Sequence, residues 1–238
     1  MATRVLTGID LGLHAVRFVT LEVRKKTPRL VTFDSEMVGE ASAPEGTASR
    51  WAQALRTILK RTKLRPAALG RVAASVGGES LTVRQIDLPD LSNDDLASAM
   101  PLEARRHVPL PAEIEIALSY QVLHRDTTAK RVNVLLGACP KSLVQDAVRG
   151  AAEAGIEPEL VDAAPLAAMN AILHARGEQE PATGYLDVDG QHDACTLVLM
   201  RPPAPYASLG QPVSTHCGAV VSLSAGSTLR RKALIWPV

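Results

Sequence analysis

The chain has 238 residues, 46% hydrophobic and 21% charged, which is enough apolar material for one or two globular domains. Lys and Arg number 26 against 25 Asp and Glu, so at a formal net charge of +1 no strong field draws the chain onto nucleic acid or an anionic membrane. Aromatic residues make up only 3%, too few for the stacking platforms of an RNA or single-strand binder.

The N-terminus, MATRVLTGIDLG, carries Arg4 and then only a short apolar stretch that Asp10 breaks, unlike a signal peptide. No uncharged apolar run reaches the ~20 residues of a membrane-spanning helix. The expectation is a soluble cytoplasmic protein that meets a membrane only through a partner. Residues 4–10 and 15–23 read as strands joined by a turn at Gly12, the second with alternating apolar and polar positions. A basic turn, Arg24 to Arg29, leads to a third strand, LVTFDSEMV, completing an antiparallel meander. After a polar loop at 40–47, Trp51, Leu55, Ile58 and Leu59 recur at helical spacing and predict a helix over 48–61. Residues 71–76 form a further short strand before Gly77-Gly78.

LTVRQIDLP is a strand closed by Pro89, and Ser92 is placed to cap a helix with Asp94 and Asp95 in its first turn. Leu91 and Leu96 occupy the positions of a hydrophobic staple. The helix runs toward His107, and Pro101 inside it predicts a kink near 97–100. IEIALSYQVL and KRVNVLLGAC read as paired strands. Pro140 opens another helix whose apolar face is Leu143, Val144, Ala147, Val148 and Ala151, with Gly155 beyond its end. IEPELVD then reads as a strand and AAPLAAMNAILHARG as a helix. GYLDVDG and DACTLVLM form a second strand–turn–strand that loosely repeats the one at 5–22. From Arg201 onward no period is visible in a stretch rich in Pro, Ser and Gly. Cys139, Cys195 and Cys217 are far apart and odd in number, and the six histidines are scattered, which argues against a disulfide framework and a metal site.

Gly8-Ile9-Asp10-Leu11-Gly12 between two strands is compatible with a phosphate loop, because glycines admit backbone N–H groups to an anion and Asp10 can bind hydrated magnesium. An ordinary hairpin with an Asp turn reads the same way. Residues 81–122 are more specific. Arg84, Ile86, Leu88-Pro89, Asp94-Asp95, Glu103-Ala104, Val108-Pro109 and Tyr120-Gln121 stand in the order found in the PilM family, actin-like assembly proteins of type IV pili related to FtsA. The stretch from Val132 to Ile172 matches in order as well, and the resemblance covers roughly 4–200.

That resemblance implies an α/β, actin-like (ribonuclease H-like) first half with a small inserted βα subdomain and an incomplete second half. Residues 1–79 would be subdomain 1A, 80–162 the insert called 1C, and 163–180 the helix returning to 1A. Residues 181–200 would begin subdomain 2A, and 201–238 would be a divergent, disordered tail on a truncated chain. The implied function is a cytoplasmic scaffold of the pilus inner-membrane platform. It would hold the N-terminal tail of a PilN-like partner in a groove between 1A and the insert, with pilus motor components as further partners. Asp10, Gly12 and Asp187 would mark the two phosphate loops, Asp10 holding magnesium through water, with no catalytic residue. Leu13-His14-Ala15 replace the small hydroxyl residues that the family favours, and Asp189 stands where its second loop has Gly. Asp187, Asp189 and Asp193 then crowd like charges where phosphates belong, so Mg–ATP binding is expected to be weak or absent. Two other readings stay open: an actin-like ATPase or sugar kinase that turns nucleotide over, and a remnant without activity.

Overall fold

The computed structural model describes residues 3–25, 27–39, 46–78, 80–176, 183–189, 194–201 and 217–224. In chain order the elements are β1 (Arg4–Leu11), β2 (Ala15–Arg24), β3 (Thr27–Met37), α1 (Thr47–Thr62), a single 3₁₀ turn (Pro66–Ala68), β4 (Arg71–Val76) and β5 (Thr82–Pro89). There follow α2 (Asn93–His107), β6 (Ile116–Asp126), β7 (Arg131–Pro140), α3 (Lys141–Glu153), β8 (Leu160–Ala163), α4 (Ala164–Arg176), β9 (Thr183–Asp189), β10 (Ala194–Arg201) and β11 (Cys217–Ser224). Two compact units emerge among the described residues: one holds β1 through β4 with Lys141–Ala164, the other β5 through β7 with α4 from Pro165 and β9 through β11.

The first unit is a five-stranded sheet in the order β3-β2-β1-β4-β8. The β1–β2–β3 meander is antiparallel, and β4 and β8 run parallel to β1. Alternation along the strands buries Thr7, Ile9, Leu11, Val16, Phe18 and Thr20 on one face. The stripe of α1 joins that core: Trp51, Leu55 and Ile58 have no exposed surface. Burial of each such side chain stabilises the fold by about 1.5–3 kcal/mol. Lys63, with φ 58, ends α1 in the left-handed conformation, next to Lys60 and Arg61 in its last turn. Among the buried polar side chains, Thr7 donates to the Leu69 carbonyl at 2.8 Å and shares a 3.2 Å contact with Thr20. Two glycines admit close approaches. Gly70 has φ +64 and would place a Cβ 2.2 Å from the Val5 carbonyl oxygen, and a Cβ on Gly150 of α3 would lie 2.7 Å from the Ala48 oxygen of α1.

In the second unit β5-β7-β6 form an antiparallel sheet. α2 packs on it through Leu96, Met100 and Ala104 against Ile86, Leu88, Val132, Val134 and Leu136. Ser92 caps α2 as expected, its Oγ accepting from the Asp95 N–H at 3.1 Å, and Leu91 packs against the same core. α2 continues through Pro101 as one helix, with the proline on its exposed side. β9 and β10 pair antiparallel, and β11 joins β10 in parallel, with Cys195 and Cys217 as register neighbours.

Several expectations are corrected here. The insert does not run to residue 162: α3 packs on α1 and β8 pairs with β4, so Lys141–Ala164 belong to the first unit. The helix expected at 163–180 to return to the first subdomain is α4, which from Pro165 falls in the second unit. Its residues are apolar nearly all round, so no stripe announces which surface it joins. The basic turn is shorter than expected, since Thr27, Pro28 and Arg29 are already strand, and an edge strand accepts a proline at its start. The strand at 156–162 reduces to Leu160–Ala163. In the tail read as disordered, Cys217–Ser224 is a strand; the rest of 202–238 lies outside the described residues.

Candidate functional site

The loop after β1 is where the sequence places a phosphate site, and the structure shows how it is held. Gly12 N–H donates to the Ala15 carbonyl at 3.1 Å, closing the turn into β2. A Cβ on Gly12 would lie 2.7 Å from that same Ala15 oxygen, so the turn requires glycine. The Gly12 carbonyl accepts from the buried Trp51 indole N–H at 2.8 Å, and the His14 carbonyl accepts from Val38 N–H at 2.7 Å. α1 and the end of β3 therefore anchor the loop from two sides.

Asp10 sits two residues before Gly12, with its side chain on the sheet face opposite the α1 core. In register it stands beside Arg17 of β2 and Ser75 of β4, and Ser75 in turn beside Asp162 of β8. Four polar residues thus form a row across neighbouring strands, toward the carboxyl ends of the parallel ones. Ligands of α/β sheets bind at such ends. Ser75 Oγ donates to Asp10 Oδ1 at 2.9 Å, and Arg17 Nη1 to Asp10 Oδ2 at 3.1 Å. Asp162, only 8% exposed, accepts from the Ala163 N–H at 2.7 Å through Oδ1.

This arrangement fits a magnesium–phosphate group poorly. Both Asp10 oxygens have partners, and a hydrated cation at Oδ2 would compete with the guanidinium of Arg17. The N–H of Gly12 is committed to Ala15. Asp187, the third expected site residue, lies in β9 opposite Thr196, and Asp189 opposite Ala194. Gly190 and Asp193 lie outside the described residues. Among the described residues no group of three His, Cys, Asp or Glu comes together to hold a metal ion. Cys139 is fully buried, and burial pushes its thiol up to about 12, which makes it inert.

Sequence reasoning missed Arg17, Ser75, Asp162 and the role of Trp51. The hairpin turn fixes the antiparallel register, so the Asp10–Arg17 pair was open to inference from alternation alone. Ser75 and Asp162 depend on parallel pairings that no local signal encodes.

A sequence-family model described as Type IV pilus assembly protein PilM matches residues 8–183. The chain belongs to the PilM family of type IV pilus assembly proteins. A solved PilM-PilN type IV pilus biogenesis complex is similar to it with a TM-score of 0.65 at 21% identity. That likeness covers 82% of this chain and 58% of that one, so the chain spans little more than half of its relative's length. At this identity the likeness speaks for the fold, which is the expected actin-like α/β fold. The cytoplasmic domain of EpsL, from the type II secretion system of Vibrio cholerae, follows at TM-score 0.43 and 13% identity, covering 66% of this chain and 56% of that one. An exopolyphosphatase from Cytophaga hutchinsonii stands at TM-score 0.40 and 13% identity, covering 79% of this chain and 44% of that one. Some of the residues that spelled the PilM resemblance are structural. Ile86, Leu88, Ala104 and Val108 are buried in the second unit, and Glu103 pairs with Arg106 at 2.7 Å.

Proposed function

We propose that this PilM-family chain acts as a scaffold of the type IV pilus inner-membrane platform and binds the short N-terminal tail of a PilN-like partner. The observation that carries the reading is the family match over 8–183, which spans all of β2 through α4. A PilM-PilN complex among its structural neighbours supports the choice of partner. No helix among the described residues is long and apolar enough to cross a membrane, so in this reading the partner supplies the anchor at the cytoplasmic face. Contact with pilus motor components belongs to the same scaffold role. A short tail is recognised by a few buried anchor side chains that supply most of the affinity.

Nucleotide is bound weakly or not at all in this reading, and no residue is assigned a catalytic role. The commitments of Asp10 to Ser75 and Arg17, and of Gly12 to Ala15, support that view over an ATPase. The test is fluorescence anisotropy with a labelled peptide of the PilN-like tail. The peptide should saturate with a Kd on the order of micromolar, and a scrambled peptide should not. Failure to saturate defeats the proposal. So does strong co-sedimentation of the chain with anionic vesicles in the partner's absence.

A further inference from the structure

Among the described residues β3 is the outermost strand of the first sheet, hydrogen-bonded to β2 alone within it. It also carries the exposed large hydrophobics Leu30 (58%), Val31 (50%), Phe33 (64%) and Met37 (54%). An edge with such a row is a template for another strand. Pro28 guards only its beginning.

The segment Arg29-Leu30-Val31-Thr32-Phe33-Asp34 is complementary to itself when reversed. In either direction it reads charge, large apolar, β-branched, β-branched, large apolar, charge, with the end charges opposite in sign. Laid antiparallel on a second copy about the Val31–Thr32 midpoint, Arg29 faces Asp34, Leu30 faces Phe33 and Val31 faces Thr32. The faces agree only because of a bulge. Thr32 pairs with Thr20 and Leu30 with Leu21, so Val31 is an extra residue that shifts the alternation by one. Arg29 and Asp34 therefore share the face of Glu22 and Phe18, while Leu30 and Phe33 share that of Leu21 and Val19. The unpaired residue of the bulge lies at the centre of the proposed symmetry.

We propose that β3 is a homotypic docking edge, through which two copies of this chain pair antiparallel and join their five-stranded sheets. Charge complementarity selects a second copy over an arbitrary strand. Two Arg29–Asp34 pairs form at once, flanking two Leu30–Phe33 pairs, as an isologous twofold contact requires. Asp34 already accepts from Arg61 at 2.8 Å, and a second guanidinium adds to that cluster, which also holds the carboxylate of Glu36.

Sedimentation velocity of the full chain, from about 1 to 100 µM, should show a monomer–dimer equilibrium. Arg29→Glu and Phe33→Lys alter exposed side chains and act twice per dimer, so each should weaken it about tenfold or more. The register is read by mixing two variants. Leu30→Cys with Phe33→Cys should form a cross-linked dimer beyond what either variant forms alone with the native cysteines, because directly opposed Cβ atoms lie ~5 Å apart. A chain that stays monomeric at the highest concentration overturns the proposal. So does self-association that Arg29→Glu leaves intact, or cross-linking no stronger in the mixture than in the separate variants. Should Phe33→Lys fail to fold by circular dichroism, Arg29→Glu and the mixed cysteine pair decide.

Discussion

Replacing Trp51 by phenylalanine removes one hydrogen bond and part of one ring from the middle of the first unit. The indole is fully buried, and its N–H reaches the Gly12 carbonyl at 2.8 Å. Losing that bond costs about 1 kcal/mol net. The smaller ring leaves a void around a side chain that has no exposed surface; filling it incompletely costs about 1–2 kcal/mol more. A total near 2–3 kcal/mol lowers the thermal midpoint of a chain this size by roughly 4–12 °C. Calorimetry measures that shift, and amide hydrogen exchange asks where it acts. The Gly12 N–H, bonded to Ala15, should lose protection beyond the global change. Leu55→Ala serves as the control, since it opens a cavity on the same helix and leaves the indole bond in place. A midpoint shift under about 2 °C refutes the magnitude. Equal loss of protection at Gly12 in both variants refutes the claim that Trp51 clamps the loop.

Titration calorimetry with Mg–ATP should show weak binding or none, and a low-micromolar Kd abolished by Asp10→Ala would contradict the reading of the loop. Arg61 holds the Asp34 carboxyl below its ordinary value of 3.8. Their pairing therefore stabilises the fold above that pH and loses its contribution as pH falls through the lowered value. Arg61→Ala should accordingly lower the thermal midpoint at neutral pH and matter less in acid below that lowered value, and equal deficits across the whole acid range would refute the linkage. Cys139, raised to about 12 by burial, should escape alkylation at pH ~8 in the native chain and react after unfolding, as read by peptide mapping.

The insert was the most legible part of the chain. Ser92, Leu91 and Leu96 announce one helix start through local chemistry, and the family's positions at Ile86, Leu88 and Ala104 coincide with the core that α2 makes with its sheet. The meander and α1 were legible for the same reason, because a period of two or of 3.6 is written along consecutive residues. The candidate site was legible only in part. Asp10 and Gly12 stand out from the turn chemistry, whereas the partners that engage Asp10 are brought to it by pairing between strands.

By itself, then, the sequence determined what local periodicity and capping can carry: the β1–β2–β3 meander, the buried stripe of Trp51, Leu55 and Ile58, and the capped helix of the insert. Tertiary structure alone decided which elements join which sheet. It placed Asp162 beside Ser75 and Ser75 beside Asp10, returned the chain to the first unit at Lys141 and not after residue 162, and set the bulge at Val31 that aligns Leu30 with Phe33. The reason is physical. Parallel pairing and helix docking join residues far apart in the chain, and their register is fixed by packing across the sheet, not by any property of the neighbours in sequence.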